Sequence, residues 1–191
     1  MPEYRYELDA EDRIRWVDRD WLRFADENEA KDLRPERVLG RPVFDFLSGG
    51  PVRHVYAILF QAARSGRTLC VPFRCDAPDR RRYMELRIEP ADAGGLHLAA
   101  RLLREERRPP VALLEAERPR GGGMVTICSW CKRIRTAPDV WEEVEDGIRR
   151  LGLFQEATLA DLTHGICDAC EQRVFRVATG PDDDAGDGTA A

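Results

Sequence analysis

The sequence predicts an α+β protein, in which an antiparallel five-stranded sheet with helices on one side precedes a second, smaller unit. Two β-rich segments open the chain, a helical middle follows, and three alternating segments end near residue 104. Two Cys-x-x-Cys turns then occur within residues 124–178. Strands and helices segregated in this way, without a regular β-α alternation, are typical of the α+β class.

Length and charge restrict the classes of protein. A chain of 191 residues has room for one ordinary domain and a smaller unit. Its net charge of −5 gives no general attraction to nucleic acid or to an anionic membrane. The chain has no apolar run near the ~20 residues that span a bilayer, and its charged N-terminus lacks the apolar core of a signal peptide. We therefore expect a cytoplasmic protein with reduced thiols.

The first two strands and the helical segments after them come first along the chain. Residues 4–9 and 13–18 are β-rich and flank a charged turn, which predicts a hairpin. Residues 19–33 place Trp21 and Leu22 at helical spacing, while residues 35–47 contain Gly and Pro and predict a short helix with a turn.

Residues 51–66 carry the clearest helix pattern. Pro51 suits the first helical position and Gly66 suits the stop. At about 100° per residue one apolar stripe forms, which predicts that the helix lies on the sheet. The stripe consists of Val52, Val55, Ile58, Leu59 and Ala62.

Three strands complete the predicted sheet. Residues 68–75, 83–89 and 95–103 each alternate apolar and polar side chains, and Pro, Asp and Gly occupy the connections between them. Pro72 lies inside the first of these segments and removes a backbone donor. It therefore favours an edge strand or a bulge.

This order of elements resembles the PAS sensory domain over residues 1–104. The segment DRIRWVDRDWLRFA (residues 12–25) is similar to the opening hairpin and first helix of that family, and VLGRPVFDFL (residues 38–47) to its central helical turn. The resemblance implies a module that senses a small molecule, whose identity it does not give, or that contacts proteins, a second copy included. It also implies a ligand pocket near Val55, Leu59, Leu86 and Leu98.

The rest of the chain divides into three segments. Residues 105–123 contain a Pro pair and a Gly triplet, which predicts a linker. Residues 124–178 hold both Cys-x-x-Cys turns. Residues 179–191 carry four Asp, no basic residue and nothing apolar beyond alanine, so a disordered acidic tail is expected.

The two Cys-x-x-Cys turns predict a metal site with four thiolates. Each turn directs both of its sulfur atoms the same way, and two facing turns form the tetrahedron that Zn²⁺ prefers. Residues 124–178 have few large apolar side chains, so the bound metal would act as a structural staple. The expected ligands are Cys128, Cys131, Cys167 and Cys170.

Other uses of these cysteines fit less well or stay open. Haem attachment needs His directly after the second Cys of a turn, where this chain has Lys132 and Glu171. A thioredoxin-like pair would be a single turn near a βαβ unit. An iron–sulfur cluster also takes four thiolates and stays open, as does a redox-switched zinc site. His164 is expected beside the metal, as a hydrogen-bond partner or turn former rather than a ligand.

Residues 126–171 also resemble a zinc-ribbon-like module that follows sensory domains in bacterial signalling proteins. The resemblance rests on ICSWCKRIR, WEEVE and HGICDAC. It implies that the same four cysteines are the metal ligands, and it implies no established activity.

Three classes of function are compared. Residues 124–178 contain seven Lys or Arg against nine Asp or Glu, a balance opposite to that of a nucleic-acid binder. The chain has no recognisable nucleophile arrangement or phosphate-binding loop, so we expect no enzyme. We expect a signalling protein that acts through protein partners, with an interface around Trp130, Trp141 and residues 132–135. A thiol redox switch or iron–sulfur sensor is the alternative.

Overall fold

The structure, a computed structural model, describes residues 2–27, 33–115, 119–153 and 159–180. Within these ranges the elements form two sheets and five α-helices. The first sheet contains β1 (Glu3–Leu8), β2 (Ile14–Val17), β3 (Leu69–Arg74), β4 (Arg80–Pro90) and β5 (Leu96–Arg107). The second contains β6 (Arg120–Cys128), β7 (Ile134–Ala137), β8 (Val140–Glu142) and β9 (Leu159–Gly165). The helices are α1 (Arg19–Glu27), α2 (Pro35–Val38), α3 (Gly50–Arg64), α4 (Val144–Leu151) and α5 (Asp168–Thr179).

The first sheet is antiparallel throughout, with strand order β2-β1-β5-β4-β3. The N-terminal β1 therefore pairs with the late strand β5, with Tyr6 opposite Leu98. β3 is an edge strand, a position in which the missing backbone N–H of Pro72 is tolerated. Together with the second sheet and its cysteines, this confirms the predicted α+β class with an antiparallel five-stranded sheet.

α3 packs on this sheet through a face slightly different from the predicted stripe. Val52, Val55 and Leu59 are buried as predicted, but Phe60 and Ala63 complete the buried face. The predicted stripe members Ile58 and Ala62 are only partly buried at its margin. The buried stripe faces the strands that α3 contacts. A helical wheel alone does not show where those strands lie.

The second sheet has the order β8-β7-β6-β9, in which β6 and β9 run parallel. One of its faces has its own small core, formed by Val111, Leu113, Val125, Ile127, Ile134, Val144, Ile148 and Ala160. β8 is followed directly by α4, and β9 leads into the second cysteine turn, from which α5 starts.

The two parts of the molecule share one hydrophobic core. Trp130 and Val174 belong to the same buried cluster as Val55 and Leu59 of α3. The backbone N–H of Arg74, at the end of β3, donates to the carbonyl of Trp130 at 2.7 Å. The cysteine-bearing part is therefore docked on the first sheet and α3.

The segment expected as a linker is structured at both ends. Its first residues, 105–107, end β5, and its glycine triplet at 121–123 lies within β6. A short 3-10 helix, Ala112–Leu114, lies between the two strands. Thr179, assigned to the tail, ends α5, and residues 181–191 of the predicted acidic tail lie outside the described residues.

In the described part of the chain, none of the helices has the length and apolar character needed to cross a membrane.

Candidate metal centre

Parallel pairing of β6 and β9 brings the two cysteine turns together. Cys128 ends β6 and lies level with Gly165, the last residue of β9. Both strands therefore lead into a Cys-x-x-Cys turn at the same end of the sheet. In the second turn, Cys167 is the residue before α5, and Cys170 lies in the first helical turn.

The four sulfur atoms have the spacing of a tetrahedral site. All lie within 4.8 Å of one another, and Cys131 Sγ is 3.8 Å from Cys167 Sγ. Four thiolates ~2.3 Å from one Zn²⁺ would be about 3.8 Å apart along each tetrahedral edge. A disulfide would instead need a sulfur–sulfur distance of about 2.05 Å, and all four cysteines are free thiols. These residues could hold a metal ion.

Backbone hydrogen bonds shape the first turn around its cysteines. The N–H of Cys128 donates to Arg133 O at 2.8 Å, and the N–H of Lys132 donates to Cys128 O at 2.9 Å. Lys132 has a φ of 61°, so the chain reverses in the left-handed region directly after Cys131. The sulfur of Cys128 also accepts the Cys167 N–H at 3.4 Å, which links the two turns.

Crowding makes the four thiols titrate as a group. Contacts with Cys131, then with Cys167 and Cys170, lower the pKa of the Cys128 thiol. Contact with Cys128 raises the pKa of Cys170 most strongly, because a second thiolate beside an existing one is repelled. For Cys167, contact with Cys128 raises the pKa, but Cys131 and Cys170 lower it to about 7 overall. A bound cation would remove this conflict by allowing all four thiolates to coexist.

The centre lies inside the shared core rather than on a free surface. Cys128, Cys167 and Cys170 are buried, and Cys131 is half-buried. Trp130 is only 3% exposed, and its ring lies 5.2 Å from that of Tyr56 on α3. The expectation that Trp130 is part of an exposed interface is therefore wrong, because the indole fills the contact between α3 and the first turn.

Basic side chains next to the centre are held by neighbours. Arg133 donates from Nε to Glu143 at 3.2 Å, which raises the pKa of its guanidinium, and the thiolates of Cys131 and Cys167 add to that effect. Lys132 donates from Nζ to the carbonyl of Ser129 at 2.8 Å. Arg133 and Lys132 thus place positive charge near the sulfur atoms.

His164 lies near the centre but outside the sulfur cluster. Burial, and then the charge of Lys132, lower the pKa of its imidazole. Its side chain lines a cleft with Lys132 and Trp130. Among the described residues, its side chain makes no hydrogen bond to a cysteine. The predicted role as a partner of a thiolate stays a prediction.

The four predicted pocket residues lie together in the core. Val55 and Leu59 of α3 pack against Leu86 and Leu98 of the sheet, and each is at most 3% exposed. Their side chains fill the space between helix and sheet. A cleft of about 240 Å³ lies nearby, and its α3 residues are Val52 and Tyr56 instead.

Sequence reasoning missed a buried ion cluster that joins the two parts. The side chain of Arg74 is 9% exposed, and it binds Asp76 and, at 2.7 Å, Glu143 before α4. Burial lowers the pKa of Arg74, but its hydrogen bonds to both carboxylates raise that pKa more. Arg108 adds a second cation 3.3 Å from Asp76. In the sequence, this cluster is marked by no more than an Arg at the end of β3.

Comparisons with known proteins give a likeness to several solved structures, among them the following two. A domain of an HTR-like protein from Haloarcula marismortui ATCC 43049 matches 55% of this chain and 100% of its own, with 13% identity and a TM-score of 0.41. The photoactive yellow protein domain of the sensor histidine kinase Ppr from Rhodospirillum centenum matches 53% of this chain and 92% of its own, with 18% identity and a TM-score of 0.39. Neither likeness carries a conclusion about function.

No protein-family model matches the chain. No curated protein matches it either.

Proposed function

We propose that this protein is a cytoplasmic bacterial signalling protein whose PAS-like part receives a signal and whose cysteine-bearing part passes it to a protein partner. A single Zn²⁺ on Cys128, Cys131, Cys167 and Cys170 would have a structural role, and the protein would catalyse no reaction. Nucleic acid and membrane would not be its partners. A second copy could pair through the PAS-like part.

One observation carries the proposal: the four-sulfur centre is built into the same hydrophobic core as the sheet and α3. Cys128 and Val174 are members of one buried cluster with Leu59 and Leu98. A packed core rearranges between discrete states rather than deforming smoothly, so a change at the sheet can reach the cysteine-bearing part. A ligand can shift such an equilibrium only by its difference in affinity for the two states.

Zinc is proposed over other metals because of the donor set and its spacing. Four thiolates that lie within 4.8 Å of one another, with one pair 3.8 Å apart, would enclose a single tetrahedral ion. An iron–sulfur cluster inserts several iron and sulfide atoms between its thiolates, which requires a wider arrangement.

The experiment combines metal analysis with capture of partners. Full-length protein, purified without oxygen, is expected to carry one equivalent of zinc and to retain a defined partner from an extract of its native host. Cys128→Ser should lower the metal content below half an equivalent and lose that partner. Cys70→Ser is the matched control, because Cys70 is an exposed thiol outside the centre.

Either of two results would contradict this function. Retention of every partner by the metal-free Cys128→Ser protein would show that the cysteine-bearing part is not the output. A brown protein with visible absorption would move the assignment to an iron–sulfur sensor.

A thiol redox switch is the second candidate. Cys131 is half-buried, and its sulfur lies 3.8 Å from that of Cys167, so the two could form a disulfide after a small movement. An oxidant such as hydrogen peroxide would then take two electrons from the two thiolates and release the metal. Zinc release by stoichiometric peroxide, reversed by a dithiol, would favour this candidate.

A further inference from the structure

A cleft of about 240 Å³ lies between the two parts of the molecule. Val52 and Tyr56 of α3 and Phe73 of β3 form one side. Trp130 and Lys132 of the first cysteine turn, with His164 from β9, form the other. The cleft therefore exists only when the cysteine-bearing part is docked on the sheet and α3.

The cleft has the volume for a ligand with one ring or with two fused rings. An apolar cavity of about 150 Å³ holds benzene, whereas sites for drug-sized ligands begin near ~300 Å³. The walls are mostly apolar and aromatic, which favours a flat apolar body. The rings of Tyr56 and Trp130 are 5.2 Å apart and tilted. They offer both edge contacts and face contacts to a flat apolar ligand.

The polar groups around the cleft favour a negative charge. Of the described residues, those that line the cleft include Arg74, Lys132 and His164, and none of them is an Asp or Glu. Arg74 already forms ion pairs with Asp76 and Glu143. Among the described residues, Lys132 forms no ion pair, and its Nζ donates only to the carbonyl of Ser129. The ammonium keeps donors for a ligand oxygen.

We propose that this cleft binds a small planar aromatic acid, with its ring against Tyr56 and Trp130 and its carboxylate on Lys132. This ligand site rests on the proposed function in one respect, because the bound ligand would be the signal that the protein receives. Lys132 follows Cys131 directly, so a ligand held there touches the metal-binding turn and α3 at once. Binding would stabilise the docked arrangement by mass action.

The test uses full-length protein with its zinc content measured first. Titration with 2-naphthoate is followed by calorimetry and by ¹H–¹⁵N spectra. We expect saturable binding with one site per chain and a shift of the indole signal of Trp130, whose Nε1 is buried without a hydrogen-bond partner among the described residues. The signal is assigned with Trp130→Phe.

Variants distinguish this cleft from other surfaces. Lys132→Met keeps the apolar stem but removes the charge, and it should weaken 2-naphthoate about tenfold, the effect of one charge-assisted hydrogen bond. Ser48→Trp would block the cleft from an exposed position on its rim and should abolish binding. Arg135→Met is the control, because Arg135 is an exposed cation that does not line the cleft.

A comparison of ligands decides the chemical class. The nearby thiolates repel an anion, so the net effect of the carboxylate has to be measured. 2-Naphthalenemethanol, with the same rings and no charge, is titrated in parallel. It should bind about tenfold more weakly, because it lacks the charge that Lys132 attracts. Equal binding of acid and alcohol, equal binding by Lys132→Met, or no saturable binding would each overturn the proposal. A zinc-loaded protein that retains its partner but not 2-naphthoate refutes the cleft alone. A protein that binds 2-naphthoate through Lys132 but retains no partner supports the cleft and refutes the output function.

Discussion

Gly49 precedes α3 at the point where that helix meets β9, and a side chain there has no room. Its φ is +90°, and a Cβ would lie 2.5 Å from the carbonyl oxygen of His164, three residues before Cys167. The glycine thus allows the start of α3 to approach the strand that leads into the second cysteine turn.

Gly49→Ala should destabilise the protein by more than backbone strain alone. A non-glycine residue at positive φ costs about 1–3 kcal/mol, and overpacking against the His164 carbonyl adds a further ~1–3 kcal/mol. Urea unfolding of the metal-loaded protein measures the loss. Gly40→Ala is the matched control, since Gly40 has a φ of +77° and nothing within 4 Å of its Cβ position. Equal losses for the two variants would show that the contact between α3 and β9 is unimportant.

Glu143 should make the docking of the two parts sensitive to acid. Partial burial raises the pKa of its carboxyl, but hydrogen bonds from Arg74 and Arg133 lower it below the ordinary 4.5 overall. A depressed carboxyl pKa stabilises the fold above the unfolded-state pKa, and the gain is lost as pH falls through the folded-state value.

Glu143→Gln is therefore expected to cost about 1–3 kcal/mol near pH 7, with a difference from wild type that shrinks as pH falls below 4.5. Chemical unfolding of both proteins across pH 3–7 measures that difference, in which acid-induced metal loss, common to both, largely cancels. Glu89→Gln removes an exposed partner of Arg87 and should show a small effect at every pH. A pH-independent difference for Glu143→Gln would contradict the assignment.

At the scale of elements, α5 is fixed to the first part of the molecule by a cation at its C-terminus. Arg67, in the turn after α3, donates to the carbonyl of Val177 at 3.1 Å and also to that of Ala178. The last carbonyls of a helix lack partners within the helix and carry partial negative charge, so a guanidinium satisfies both needs. This contact helps to hold the helix that carries Cys170.

Arg67→Met should loosen the last turn of α5 without removing the metal. We expect faster hydrogen exchange of the final α5 amides, equivalent to about 1 kcal/mol, with unchanged zinc content. Arg173→Met, an exposed change on the same helix before its last turn, should leave that exchange as in wild type. Equal effects of the two substitutions would mean that Arg67 does not anchor the helix.

At the scale of the whole molecule, the shared core makes metal removal a test of how the two parts depend on each other. Cys128, Cys167 and Cys170 are core residues, so loss of the ion would leave four thiols without a cation, three of them buried in the shared core. α3 and β3 contact the cysteine-bearing part directly, whereas β1 and β2 lie at the far edge of the first sheet.

Chelation under reducing conditions should therefore increase hydrogen exchange in β6, β9 and α5 most, in α3 and β3 next, and in β1 and β2 least. Mass spectrometry of peptides from the apo and zinc-loaded protein measures this gradient. Zinc added back should restore the original pattern. Unchanged exchange throughout residues 1–104 would instead support two parts that fold independently, as the predicted boundary at residues 105–123 implies.

Several features of this protein follow from local patterns in its sequence. Apolar alternation predicted a strand at residues 83–89, a Pro and a Gly bounded α3, and the Cys-x-x-Cys spacing selected four residues whose sulfur atoms meet. Each of these sequence patterns is complete within a few residues. A strand pattern repeats every two residues and a helix pattern every 3.6 residues.

The arrangement of these elements in space depends on tertiary contacts. The parallel pairing of β6 with β9, the burial of Trp130 against Tyr56 and the ion cluster of Arg74 with Glu143 each join residues far apart in the chain. Local sequence placed Trp130 on a surface and gave no reason to bury Arg74, since the energy of both depends on partners that folding supplies. The centre and the cleft beside it exist because a small sheet docks on a larger one, and that docking is a sum of long-range contacts that no local pattern records.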